Sequence, residues 1–440
     1  MKLETPSWGI EPVPERLRVL GLLDSTLLWS SLGFSLLVLV AGTLLVPGLS
    51  LRNELLAIVV GGIAGNLMLG LAGMIGADAR VPAMVLLRAP LGQRGSYLAT
   101  VLNVLQNLGW TVFEVIVIAT AASALSDRVF GFHATWLWKL AAAAFATVLA
   151  LMGPIGFVRQ WVRRFALWVV LASLGYLTWW TLDGANLGAL WSQPGKGGFP
   201  SFWQGVDLMV ALPASWLPLV ADYTRFGRNR RSSFVGAGLG YLIPNVWLYG
   251  LGAILLLSRG LADAPAVMKA IAGGGALAAL ALLALGVDET KEPFANVYST
   301  AVSLQNLLPR VPQRLLILVV AALSTAGVFV INLVQYANFL YLLASFFVPL
   351  FGVLLADWLL AGARYTRDDV FRSPAVRLEQ VFAWLVGFCL YQWLQPTGPK
   401  WWTDVVAHTH AGTSVGASLP SFAAAFALAA LAALRYRRPR

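Results

Sequence analysis

Gly286-Val-Asp-Glu-Thr-Lys-Glu-Pro-Phe-Ala-Asn-Val-Tyr-Ser-Thr-Ala-Val-Ser-Leu-Gln-Asn306 continues directly from the apolar run Ala276–Leu285. A membrane-spanning helix laid through this stretch carries Asp288, Glu289, Lys291 and Glu292. A charge at bilayer depth costs roughly 2.5–3.5 kcal/mol on insertion scales. Four together are expected to face a polar interior and to pair there, which marks the stretch as a functional site. The competing reading ends a shortened helix at the charges and leaves them in outer solvent. It leaves Phe294–Leu304 too short to span a bilayer alone.

The whole chain agrees with a membrane setting. Its 440 residues are 58% hydrophobic and only 12% charged, with 18 Trp, 42 Gly and 22 Pro, and the mean hydropathy is +0.74. A soluble protein carries about 25% charged residues to cover its surface. The single cysteine, Cys389, sits in an apolar run, so disulfides and cysteine-based zinc sites are excluded. Glu4, Glu11 and Glu15 precede the first apolar segment, so no cleavable signal peptide is expected, and insertion is expected to use the first helix itself.

Apolar spans separated by Pro, Gly and charge read at 25–46, 55–78, 98–124, 135–153, 162–182, 205–222, 234–257, 276–303, 315–331, 334–360, 379–395 and 418–434. This predicts an all-α polytopic membrane protein of twelve transmembrane helices. With the N-terminus inside, the cytoplasmic segments hold 23 Lys and Arg and the outer segments seven, and Lys291 alone is left in the membrane. That asymmetry puts both termini in the cytoplasm. It also accounts for the net charge of +11 without nucleic acid as a partner.

Two helices read as interrupted. The first contains Leu27-Leu-Trp-Ser-Ser-Leu-Gly-Phe34 and the sixth contains Val210-Ala-Leu-Pro-Ala-Ser-Trp-Leu-Pro-Leu-Val220. Freed backbone groups at bilayer depth are tolerated where they line a cavity. Helices 1 and 6 are equivalent if the first ten form two five-helix halves, and matched interruptions point to a transporter site. In helix 3, Asn103, Asn107, Trp110 and Glu114 share one face. That stripe reads either as an interhelical hydrogen-bond seam or as a ligand wall. In helix 8, Glu289, Glu292 and Asn296 share a face, and Pro293 predicts local unwinding.

Other features carry less. The basic loop from Asp222-Tyr-Thr-Arg225 to Arg231 reads as solvated, as does His408-Thr-His410 near Asp404, although the histidines also have the spacing of a metal pair. Asn332, Gln335, Tyr336 and Asn338 read as an outer gate or a polar loop. No hydrolase elbow, zinc-protease, CxxC or phosphate-loop motif is present, which disfavours an enzyme. A membrane enzyme or a non-transporting receptor is the competing class.

At these residues the chain resembles the nucleobase:cation symporter-1 family, the permeases for cytosine, uracil, allantoin, hydantoins and related rings. The resemblance rests on Trp8-Gly-Ile-Glu-Pro-Val-Pro14, Leu108-Gly-Trp110, Ser215-Trp216 leading to Ala221-Asp-Tyr-Thr-Arg225, and Asn296-Val-Tyr-Ser299. Tyr336-Ala-Asn-Phe-Leu340 and Val348-Pro-Leu-Phe-Gly-Val-Leu-Leu-Ala-Asp357 are most similar to the branch assigned to hydroxymethylpyrimidine, the thiamine precursor. The resemblance implies a leucine-transporter-like fold, with inverted repeats at about 20–182 and 205–360, peripheral helices at about 379–434, and helices 1 and 6 discontinuous. It implies a monomeric secondary transporter of the inner (plasma) membrane that imports a small heterocycle by alternating access and needs no cofactor.

Carried over by position, the resemblance puts Trp110 and Trp216 on the two faces of the ring and Glu114 and Asn296 at its edge, with Ser215, Gln106, Ser31 and Gly33 nearby. Family members often have Gln where this chain has Glu114. A glutamic acid is both donor and acceptor only when protonated, a pattern suited to an aminopyrimidine. The ion-coupling residues are expected among Ser30, Asp288, Glu289, Thr290, Lys291 and Glu292. Sodium-coupled relatives hold the ion between the helix-1 break and helix-8 hydroxyls, at positions near Thr290 and Lys291 here. Ser30 and Thr290 suit a sodium ion, whereas the Lys291 ammonium would displace it and leave a proton as the coupling ion.

Overall fold

The computed structural model describes residues 9–152, 167–307, 310–412 and 414–436. Lys2, Trp8, Arg159, Arg163, Arg164, Arg437, Arg438 and Arg440, used above for the motif or the charge count, lie outside the described residues. The helices that carry the argument are α1 (Leu22–Gly33), α2 (Leu36–Gly42), α3 (Leu51–Ala79), α4 (Ser96–Phe130), α5 (Thr135–Met152), α6 (Leu167–Leu182), α7 (Phe202–Ser215), α8 (Val220–Thr224) and α9 (Arg230–Ser258). They continue with α10 (Ala264–Gly273), α11 (Ala276–Glu289), α12 (Lys291–Leu307), α13 (Gln313–Val330), α14 (Tyr336–Leu360), α15 (Leu378–Leu394), α16 (Lys400–Ala407) and α17 (Ser418–Ala433). Each expected span falls on one of these helices or on a pair of them, and α10 and α16 are additions in the connections.

Helix starts follow local chemistry. Ser50 accepts from Asn53 N, Ser201 and Gln204 form a reciprocal capping box, Asn229 accepts from Ser232 N, and Asp263 accepts from Ala266 N. Each cap satisfies a backbone donor that the first helical turn leaves free. The chain leaves α4 through Gly131 at φ 65°, a left-handed conformation that favours glycine.

Three spans are broken. Phe34 and Ser35 are extended between α1 and α2, which are bent by 63°, so the interruption falls at the end of the Leu27–Phe34 motif and leaves Ser30 and Ser31 helical. The sixth span breaks between Ser215 and Val220. Pro218 lacks an N–H, and its ring crowds the carbonyl four residues back, at Ala214. The eighth breaks at Thr290, between α11 and α12, because Pro293 acts in the same way on Glu289. Pro293 itself is helical.

Small residues let the broken helices approach their neighbours. A Cβ on Gly42 would overlap the Tyr249 carbonyl, one on Gly252 the Leu39 carbonyl, and one on Gly33 the Pro244 ring. These contacts bring α1 and α2 backbone to backbone with α9, the packing mode available where lipid supplies no hydrophobic drive between helices. α15 and α17 pack on α14. The buried Asp207 of α7 holds the start of α17 by accepting from Ala417 N at 2.5 Å and Ser418 N at 3.1 Å. On the opposite end, Leu20 pairs with Gly227, while Glu15 meets Arg80 at 2.6 Å and Glu11 meets Arg367 at 2.9 Å. Through these ties the segment before α1 crosses the ends of several helices.

Candidate substrate and ion site

The breaks in helices 1 and 6, together with α4 and α12, line a cavity. It holds about 430 Å³ of atom-free space, including its mouth, and is lined by Trp110 and Glu114 from α4, Ser215 and Trp216 from the sixth-helix break, and Glu292 and Asn296 from α12. Ser35, Tyr241 and Tyr336 complete its polar lining. Both expected indoles are therefore in the same cavity, each held edgewise. Trp110 meets Phe339 at 5.2 Å and Tyr336 at 6.1 Å between ring centroids. Trp216 meets Trp29 at 5.5 Å and donates from Nε1 to Tyr241 Oη at 2.8 Å. Edge-to-face packing fixes the orientation of each ring and is worth about 0.5–1.5 kcal/mol per pair.

Glu114 and Asn296, both expected at the ring edge, bond to each other. Asn296 Nδ2 donates to both Glu114 oxygens at 2.9 Å. The pair joins α4 to α12 and leaves the Asn296 carbonyl oxygen and the remaining carboxyl lone pairs as its outward functions. Among the described residues, Glu292 Oε1 and Tyr336 Oη are buried without a hydrogen-bond partner. Both residues line the cavity. A buried orphan of this kind costs about 1–3 kcal/mol, which a bound polar group would recover.

The other charges of helix 8 meet the helix-1 break. Glu289 accepts from Ser35 Oγ and from Leu36 N, both at 2.7 Å. Its carboxylate thus sits on the first turn of α2, where peptide N–H groups are unsatisfied and the helix dipole favours negative charge. Lys291 Nζ donates to the Ser31 carbonyl at 2.7 Å and to Asp288 Oδ2 at 2.5 Å. Ser31 lies in the last turn of α1, where the carbonyls are unsatisfied and the dipole favours a cation. One break in helix 8 therefore supplies an anion and a cation to the two facing ends of the break in helix 1. The Lys291 and Asp288 side chains are only 14% and 8% exposed, which places these charges inside the bundle rather than in outer solvent.

The remaining expected residues have other neighbours. Thr290 Oγ1 donates to Val287 O, Ser30 Oγ to Gly240 O, and Ser31 Oγ to Leu28 O. Gln106 donates to Asn103 Oδ1 and Ser215 O, which braces the sixth-helix break behind the cavity wall. Ser215 lines the cavity, with its hydroxyl donated to Leu212 O. Gly33 packs against α9. Asn107 is fully buried, and among the described residues its amide has no partner. His408 Nδ1 lies against Asp404 O and His410 Nδ1 accepts from Gly412 N, both exposed. Asn338 ties to Thr397 and Gly398. Sequence reasoning left Tyr336 as gate or loop and did not single out Tyr241 or Ser35. The signal for Tyr336 was its place on the first turn of a long apolar helix, where a phenol needs a partner.

The family described as permeases for cytosine/purines, uracil, thiamine and allantoin matches residues 12–429. The chain belongs to this permease family. It is 26% identical over 392 residues to a cytosine permease of Escherichia coli O157:H7, covering 87% of this chain and 88% of the relative. It is 23% identical over 381 residues to a hydantoin permease of Microbacterium maritypicum, covering 82% of this chain and 77% of the relative. Among solved structures it is similar to Mhp1, a nucleobase-cation-symport-1 family transporter, in a closed conformation with bromovinylhydantoin bound. That likeness has a TM-score of 0.77 at 21% identity and covers 97% of this chain and 94% of that one. The inward-facing conformation of Mhp1 gives 0.79 at 20% identity, covering 98% and 93%. The fold of this permease is thus the leucine-transporter-like inverted-repeat fold, and the protein is a multi-pass membrane transporter of the nucleobase type, not an enzyme.

Proposed function

We propose that this permease imports an aminopyrimidine, such as hydroxymethylpyrimidine for thiamine salvage, by cation-coupled alternating access. The ring lies between Trp110 and Trp216. The observation that carries the reading is the acceptor-rich lining of the cavity, which includes the Glu114–Asn296 pair and Glu292, whose Oε1 is buried without a partner. A ring with an exocyclic amine supplies the donors these oxygens lack, while the Tyr336 hydroxyl is free to donate to a ring nitrogen. Glu292, which the sequence grouped with the ion residues, reads the substrate in this assignment.

Transport uses the repeats at about 20–182 and 205–360, with the peripheral helices at about 379–434 holding one side. The monomer works alone, and both termini lie in the cytoplasm. Because relatives include cytosine, hydantoin and allantoin permeases, the second reading is one of those substrates. Cytosine also presents an amine beside a ring acceptor. Competition binding on purified protein with pyrimidines, purines and hydantoins separates amine-bearing pyrimidines, cytosine among them, from the hydantoin and allantoin readings. Aminopyrimidines are expected to compete best, and stronger competition by a ring without an amine would overturn the assignment.

A further inference from the structure

A Na+-coupled sialic acid symporter shares this fold, and the family resemblance implies that the corresponding ion position lies between the helix-1 break and helix 8. The oxygens there do not fit a sodium ion. The Ser31 carbonyl is already occupied by the Lys291 ammonium, and the Ser30 hydroxyl is turned to the Gly240 carbonyl of α9. An ion brought to the Ser31 carbonyl would meet Lys291 Nζ at contact distance, and two like charges in a desolvated site repel. The ammonium is in turn fixed by Asp288 and set in α12 one residue beyond the break.

We propose that Lys291 is a covalently tethered replacement for the coupling metal ion, so that this permease binds and moves its substrate without sodium. The ammonium makes the two kinds of contact a bound cation would make, to a broken-helix carbonyl and to a carboxylate. Unlike an ion it cannot leave, so it braces α1 against α12 whether or not substrate is present. The Glu289 carboxylate on α2 completes the brace from the other side of the break. This assignment rests on the transporter reading above, but it concerns the ion and not the ring.

The test is thermal unfolding of the purified full-length protein without substrate, in sodium chloride against choline chloride at equal ionic strength. The wild-type midpoint is expected to be the same in both, and a sodium-specific rise would overturn the proposal. Lys291→Ala uncovers the Ser31 carbonyl and Asp288, so its midpoint is expected to fall and to become sodium-sensitive, while Lys291→Arg is expected to stay insensitive. Should Lys291→Ala fail to fold, the wild-type comparison alone still decides. In proteoliposomes, uptake of labelled cytosine or hydroxymethylpyrimidine is expected to persist without sodium, and uptake that collapses without sodium at fixed pH and ignores a protonophore would overturn the proposal. Failure of every heterocycle to bind would remove the substrate assignment and leave the unfolding result standing.

Discussion

Replacing Glu289 with Ala isolates the brace on the helix-1 break. The carboxylate accepts from Ser35 Oγ and Leu36 N at 2.7 Å, and Glu289 is only 1% exposed. The substitution leaves the buried Leu36 N–H and the Ser35 hydroxyl without this acceptor. A stranded buried donor costs about 1–3 kcal/mol, and losing the anion at a helix N-terminus adds about 0.3–1 kcal/mol. Part of the cost is recovered as Ser35 rotates, so we take a total of about 2–4 kcal/mol. At about 1.4 kcal/mol per factor of ten, local opening becomes about 30- to 1,000-fold more frequent. Hydrogen–deuterium exchange of the peptide spanning Gly33 to Val38 reads this directly. Glu289→Gln, which keeps one acceptor oxygen, is expected to lie between wild type and Ala. Exchange in the Ala variant within about threefold of wild type would refute the brace.

Three further outcomes are expected. Trp110→Ala removes one face of the ring slot and should weaken substrate binding by about 10- to 100-fold, the scale of a buried aromatic anchor; an unchanged Kd would remove the sandwich. Gly252→Val forces a side chain into the Leu39 carbonyl and should cost about 1–3 kcal/mol as overpacking, read as a lowered unfolding midpoint, and an unchanged midpoint would show that the α2–α9 contact is loose. In a Cys389→Ser background, Thr403→Cys should label with an impermeant maleimide in intact cells and Asp368→Cys only after permeabilisation; the reverse pattern would invert the topology.

Much of the fold was legible because the governing forces are local. Bilayer thickness sets the length of an apolar run, so spans such as 55–78 and 234–257 lie within α3 and α9. Prolines act on the turn before them, so Pro218 and Pro293 announced breaks that fall at 216–219 and at Thr290. The cost of four charges at bilayer depth marked helix 8 as a site before any partner was known. Face periodicity likewise put Trp110 with Glu114 on one wall and Glu292 with Asn296 on the other.

The partners were not legible, because pairing across a bundle depends on crossing geometry and not on spacing along one helix. Glu289 and Lys291 are two residues apart, yet the first caps α2 and the second closes α1, since the turn at Thr290 sends their side chains to opposite ends of the same break. Asn296 and Glu114, 182 residues apart, bond to each other, while Glu292 and Tyr336 line the cavity and each keep a buried atom without a partner. The sequence by itself determined where the apolar helices lie, which of them break and where charge must be sheltered, because each follows from the free energy of a short segment in lipid. Only the tertiary structure decided which charge lines the cavity and which meets the broken end of helix 1, because a buried charge is stabilised by whatever the packing brings within about 3 Å of it.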